Sequence, residues 1–186
     1  MTIGFALCGS FCTYSQVFPV MEALAKEYSV IPIFSQVSGT VDSRFGAAAD
    51  HLSRAETICG AKAITTIAQA EPIGPKKLLD ALVIAPCTGN TLAKLAHSIA
   101  DTPVTMAAKS HLRNGRPILI AVSTNDALAG GAENIGRLLN RKHYYFVPAR
   151  QDDPEKKPAS VVADFRLIPE ALQLALMGRQ LQPVLL

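Results

Sequence analysis

The chain has 186 residues, about one domain's worth at the usual roughly 100–200, enough to bury an apolar core without disulfides or metal. Apolar residues make up 49% and charged residues 18%, below the common charged share of about 25%, which excludes a disordered chain. The formal charge is only +3, with lysine and arginine scattered, so no basic stripe is available for a nucleic-acid backbone.

Ile3 to Cys8 is a short apolar run stopping at Gly9-Ser10 and is predicted as a buried strand. Val17, Met21, Leu24, Ala25 and Tyr28 then share one helical face. Pro19 has no N–H to donate, so that helix should start close before it, near Ser15 or Gln16. Val30 to Phe34 reads as a second strand, and Pro32 sends it to an edge. Asp42 and Ser43 are caps for a helix with Phe45, Ala48, Ala49, Leu52, Ala55 and Ile58 as its apolar stripe and Gly60 as its stop.

A weaker strand is predicted around Ala63 to Ile67, then a loop at Glu71 to Pro75 and a short helix over Lys76 to Leu79. Ala81 to Ala85 is the next strand, closed by Pro86. Leu92, Leu95, Ala96 and Ile99 mark a helix, Val104 to His111 another, and Ile118 to Val122 is a wholly apolar strand. Ile135, Leu138 and Leu139 lie on a further helix, Tyr144 to Val147 on a last strand, and Ile168 to Leu176 on a closing helix. Arg150 to Ser160, charged and holding Pro154 and Pro158, reads as a surface loop. Strands separated by helices predict a single domain over residues 1–186, with a Rossmann-like, mostly parallel sheet in a three-layer α/β/α arrangement.

Cys8, Cys12, Cys59 and Cys87 include no CxxC pair, and His51, His97, His111 and His143 stand at no metal-ligand spacing, so no metal and no disulfide framework are expected. No positive charge precedes Lys26, and no run of about 18 apolar residues occurs. The expectation is a cytoplasmic protein in a reducing setting, without a membrane partner.

In an open parallel sheet, ligands sit beyond the carboxyl ends of the strands, near a reversal of strand order. Three strand-end stretches are rich in small hydroxyl and amide residues: Gly9-Ser10-Phe11-Cys12-Thr13, Cys87-Thr88-Gly89-Asn90-Thr91 and Ser123-Thr124-Asn125-Asp126. Each is expected to open a helix, whose free N–H groups and partial positive charge suit a phosphate. Taken singly, Ser10, Thr88 and Ser123 read more readily as N-caps than as ligands; three such stretches on one edge read as a site. Neither G-x-G-x-x-G nor G-x-x-x-x-G-K-[ST] is present, so a mononucleotide such as FMN fits better than a dinucleotide or a triphosphate. Phe11 or Leu92 would cover its isoalloxazine. Asp126 is open to two readings, a base or a helix cap.

The run from Ala85-Pro86-Cys87-Thr88-Gly89-Asn90-Thr91 to Asp101-Thr102-Pro103-Val104 resembles the Pro-Ala-Ser-Ala-Asn-Thr region of the flavoprotein superfamily of homo-oligomeric flavin-containing cysteine decarboxylases. Gly9-Ser10 matches the same pattern. The resemblance implies FMN, with Gly9, Ser10, Thr88, Asn90 and Thr91 along its phosphate and ribityl chain and Ser35 beside it; Phe11, Gly89, Ser123 and Asn125 complete the expected cofactor site. It also implies assembly as trimers or multiples of trimers. Decarboxylating members carry a Pro-x-Met-Asn motif, and prenyl-flavin synthases an Arg-Glu pair after the fifth strand; neither is found here.

Ala121 to Ile135, His143 to Pro148 and Gln151 to Pro158 are similar to a branch of the family that is not a decarboxylase. The resemblance implies that its members, known as B subunits, work with a separate A subunit in the mother-cell cytoplasm, oxidising a dihydropyridine dicarboxylate to the pyridine dicarboxylate of bacterial spores. In that reading the small dicarboxylate substrate needs cations. Lys94, Lys109, Arg113 and Arg150 are available, Lys94 being favoured for its place one turn into a helix, with Asp126 nearby. The electron acceptor is bound FMN or NADP held by the partner subunit. In the second case this chain provides only substrate binding or assembly. A third reading is an orphan flavin-dependent decarboxylase.

Overall fold

The computed structural model describes residues 1–186. In chain order, β1 (Thr2–Leu7) leads through a 3-10 turn, Phe11–Thr13, into α1 (Tyr14–Glu27) and β2 (Ser29–Phe34). Then come α2 (Gln36–Thr40), α3 (Ala48–Cys59), α4 (Ile67–Ala70) and β3 (Ala81–Cys87). A helix pair, α5 (Gly89–Ala96) and α6 (Pro103–Leu112), precedes β4 (Ile118–Thr124), α7 (Ala132–Leu139) and β5 (Tyr144–Phe146). The chain closes with β6 (Ala149–Asp153), β7 (Lys157–Ala163) and α8 (Ile168–Leu176).

The parallel strands run in the order β2-β1-β3-β4-β5, so the direction of winding reverses between β1 and β3. Their sequences explain the parallel arrangement: Ala81–Cys87 is buried throughout and Ile118–Val122 likewise, as strands covered on both faces must be. Helices α1, α3 and α8 pack together on one side, and α5, α6 and α7 on the other. This is the α/β/α sandwich the alternation of elements predicts. Its interior is one cluster of 48 buried apolar residues. Local signals agree with the packing, with Thr102 and Thr105 forming a capping box ahead of Pro103, and Gly60 closing α3 at φ 60°. No helix is long and apolar enough to cross a membrane.

Several elements differ from expectation. Phe45 is not on the α3 stripe: the helix begins at Ala48, whose N–H donates to Asp42 Oδ1 at 2.8 Å, and Phe45 is exposed on a Ser43–Gly46 turn. Gly46, at φ +131°, makes that turn possible and a longer helix impossible. The weak strand at Ala63–Ile67 shrinks to one bridge, Ile64 to Ile33, because the Thr66–Gln69 capping box starts α4 at Ile67. Lys76 to Leu79 forms no helix, and Lys77 sits in the left-handed region at φ 51°.

The largest correction is Arg150 to Ser160, which is a β-hairpin rather than a loop. Its charges and prolines hide the strands, and the pairing partner is remote in sequence. β4 is long enough to pair with β5 through Ile118–Ile120 and with β7, antiparallel, through Ser123 and Thr124. The Ser123–Asp126 stretch also differs, since it passes through turns before α7 starts at Ala132 and opens no helix directly.

Candidate functional site

The strand-order reversal leaves a crevice at the carboxyl ends of β1 and β3, and the structure has a cleft of about 1060 Å³ there. That matches the upper end of the roughly 300–1,000 Å³ usual for small-molecule sites. Its floor is Gly9 to Thr13 after β1, Thr88 after β3 and Ser123 to Asn125 at the end of β4. One wall is Ser43, Arg44 and Phe45 from the loop before α3; the other is the β6–β7 hairpin with Asp164 and Arg166.

Six of the expected site residues come together here: Gly9, Ser10, Phe11, Thr88, Ser123 and Asn125. Ser10 and Ser123 hydroxyls meet at 2.7 Å, tying the loop after β1 to the end of β4 across the intervening strand. Ser160 donates to Asn125 Oδ1 at 3.4 Å and links the hairpin to the same edge. Thr88 caps α5, accepting the Thr91 N–H. Gly9 lies close under α2: a Cβ there would stand 3.0 Å from Val37 Cγ1, a contact that the exposed valine would have to yield to. Behind Phe11 lies an aromatic cluster: its ring meets Tyr14 edge-on at 5.5 Å, and Tyr14 meets His51 at 4.8 Å. Burial holds the His51 imidazole below its ordinary pKa.

The other expected residues do structural work outside the cleft lining. Ser35 caps α2, accepting the Ser38 N–H at 3.1 Å. Thr91 is buried, with Oγ1 donating to Cys8 Sγ at 3.3 Å. Asn90 is exposed on the first turn of α5. Lys94 does not reach the cleft; it is engaged by both Asp101 oxygens, at 2.8 and 3.0 Å. Asp126 accepts from Thr124 Oγ1 at 2.5 Å and leans over Gly89, where an added Cβ would lie 2.6 Å from its Oδ1. Asp126 does not cap the helix after its own strand, because α7 starts only at Ala132 behind Gly131; its carboxylate instead lies over the first turn of α5, where a negative charge is electrostatically favourable, while Thr88 supplies the cap there. Leu92 is fully buried in the core and cannot cover a ligand. Lys109 and Arg113 line a separate cavity of about 370 Å³, with Arg141 and Tyr144.

Thiol chemistry has little footing. Burial pushes Cys8 up to about 11 and Cys87 well above its ordinary value, so both stay protonated at neutral pH. Cys12 lines the cleft and is exposed.

The sequence reading missed Arg44 and Phe45 and the strand character of the hairpin wall, although Arg150 was among its candidate cations. The signal for the first pair was Phe45-Gly46, a turn before a helix; the hairpin had none that a single sequence displays.

A protein-family model described as Flavoprotein matches residues 1–154. The chain is 47% identical over 184 residues to the B subunit of dipicolinate synthase of Bacillus subtilis (strain 168), covering 98% of this chain and 92% of that protein. The crystal structure of the same dipicolinate synthase component, the B subunit, from Bacillus halodurans C matches with a TM-score of 0.91 at 43% identity, covering 100% of this chain and 95% of that one. DmrB of Burkholderia xenovorans, solved in complex with FMN and described as a cubic protein cage for redox transfer, shares the fold at a TM-score of 0.67 and 19% identity, covering 92% of this chain and 93% of that one. A cleft at the β1–β3 reversal, a hydroxyl-lined floor and these likenesses agree: the chain belongs to the flavoprotein family and groups there with the B subunits of dipicolinate synthase.

Proposed function

We propose that this chain binds FMN in the cleft and, together with the A subunit of dipicolinate synthase, oxidises dihydrodipicolinate to dipicolinate. The observation that carries the reading is the convergence of Ser10, Thr88, Ser123 and the amide-rich turn Gly9–Thr13 on one cleft of sufficient size. The donor set fits the group: hydroxyls and turn amides suit a phosphate and a ribityl chain, and Phe11 and Phe45 offer aromatic surface for a flat ring. Val37 closing on Gly9 keeps the turn tight.

Aromatising a dihydropyridine removes a hydride and a proton. FMN, when bound, supplies the two-electron acceptor. The chain's own part is to hold the phosphate end at Gly9–Thr13, to fix the edge of the site through the Ser10–Ser123 bond, and to shelter the opening with the hairpin. Copies of the chain assemble with one another in this reading.

One feature favours a second reading, in which the partner holds NADP and this chain binds substrate only: Asp126 puts its own carboxylate over the first turn of α5, at Gly89. Titration of the purified chain with FMN separates the two. Saturable perturbation of the flavin absorption bands is expected, abolished by Ser10→Trp, which fills the floor. An unperturbed spectrum together with full activity of the two-subunit mixture without flavin would establish the second reading instead.

A further inference from the structure

The cleft is lined by four cationic side chains, Arg44, Arg150, Lys157 and Arg166, and by two carboxylates, Asp152 and Asp164. The carboxylates are already committed. Lys157 meets Asp152 at 2.7 Å, and Arg166 grips Asp164 through Nε at 2.9 Å and a second guanidinium nitrogen at 2.6 Å. Arg150 is near enough to help hold the Asp164 carboxyl below its ordinary pKa, yet makes no ion pair with it. Arg44 and Arg150 thus remain without an acidic partner, and the cleft carries two positive charges in excess.

Their placement is equally informative. Arg44 rises from the loop before α3, at the β2 side of the sheet, and Arg150 from β6, at the opposite end of the strand order. The Arg44 guanidinium lies 4.9 Å above the Phe45 ring. Stacking uses the flat face and leaves the in-plane N–H donors free for an anion. Two guanidiniums that line one cleft without an acidic partner match, in charge and in planar donor chemistry, a flat ring bearing two carboxylates.

We infer that Arg44 and Arg150 form a carboxylate clamp, one on each wall, that selects a planar aromatic or dihydroaromatic dicarboxylate. The inference rests on the proposed function for the identity of the ring. The shared chemistry of anion binding has a second source, the FMN phosphate, and the test separates the two.

Dipicolinate binding to the full chain is measured by calorimetry with and without saturating FMN, and FMN binding by absorbance, for Arg44→Gln, Arg150→Gln and the double variant. A remote pair, Lys109→Gln with Arg113→Gln, makes the same change in net charge far from the cleft. Each clamp variant is expected to weaken dipicolinate roughly tenfold, because a charge-assisted hydrogen bond is lost, and the double variant more; FMN affinity stays within about twofold, and the remote pair changes neither. Arg→Lys at either position recovers part of the loss, since the charge returns without the fork. Loss of FMN affinity in place of dipicolinate affinity would make these residues phosphate ligands and overturn the clamp. Unchanged dipicolinate affinity in the double variant overturns it with the flavin reading intact. Wild-type chain that binds dipicolinate but no FMN, with the expected losses in the variants, would sink the flavin reading and leave the clamp standing.

Discussion

Single side chains on the α5–α6 side and at the cleft edge carry opposite energetic stakes. His111 is fully buried on α6; its Nε2–H donates to the Pro117 carbonyl at 3.0 Å while Nδ1 is left without a partner. Burial lowers its pKa to about 4. Below about 6.5 the unfolded chain takes up a proton that the folded chain refuses, so stability falls as pH drops through that window and levels near 4, by about 3 kcal/mol in all. His51, also lowered by burial, adds to the loss with the same sign. Urea unfolding at pH 7 and at pH 4.5 should show the slope in the wild type and a flatter one in His111→Gln, whose amide can still donate to Pro117. An unchanged slope would remove His111 as the cause. Gly89→Ala should destabilise by less than about 1 kcal/mol, below the usual cost of core overpacking, because the Asp126 Oδ1 and Thr124 Oγ1 that its Cβ would meet at 2.6 and 2.7 Å end side chains free to turn aside. Asp126→Ala in the same chain should recover part of that loss, as residues in contact are coupled.

Helix α5 joins the stability of the fold to the floor of the cleft. Leu92 and Leu95 bury one side of it in the core, and Thr88 satisfies the Thr91 N–H at its start while facing the cleft. Thr88→Ala removes that cap and should cost about 0.5–2 kcal/mol in unfolding free energy, along with a measurable loss of FMN affinity. Retained affinity with the stability loss alone would make Thr88 a cap and nothing more. The hairpin is the second element on which the site depends. Its pairing to β4 involves only Ser123 and Thr124, residues that also border the cleft, so the wall is registered to the floor by the same strand end.

For the whole molecule, the relevant quantities are surface and mass action. Charged residues are few, and Val37 and Val41, at α2 and its C-terminal end, are both exposed, apolar surface of the kind that copies of a chain cover. Light scattering is expected to give an assembly larger than one chain; a monomer at micromolar concentration would retire that expectation. FMN at about a hundred times its dissociation constant should add about 2.7 kcal/mol to stability through linkage, visible as a raised melting temperature that riboflavin without its phosphate does not reproduce.

The sequence by itself determined the α/β alternation, the central apolar strands β3 and β4, helix α8 and the loops after β1 and β3, because each follows from local periodicity, capping and turn chemistry. It also carried Ser10, Thr88, Ser123 and Asn125 into the cleft, since a strand's carboxyl end is a position that the chain order fixes. Only the tertiary structure decided which cations are free. Lys94 looked available and is held by Asp101, while Arg44, on a turn made by Gly46, faces the cleft; pairing depends on what lies opposite in space. The hairpin from Arg150 was hidden for the same reason. Its hydrogen bonds close on β4, far away along the chain, and a pairing of that kind leaves no period in the residues that make it.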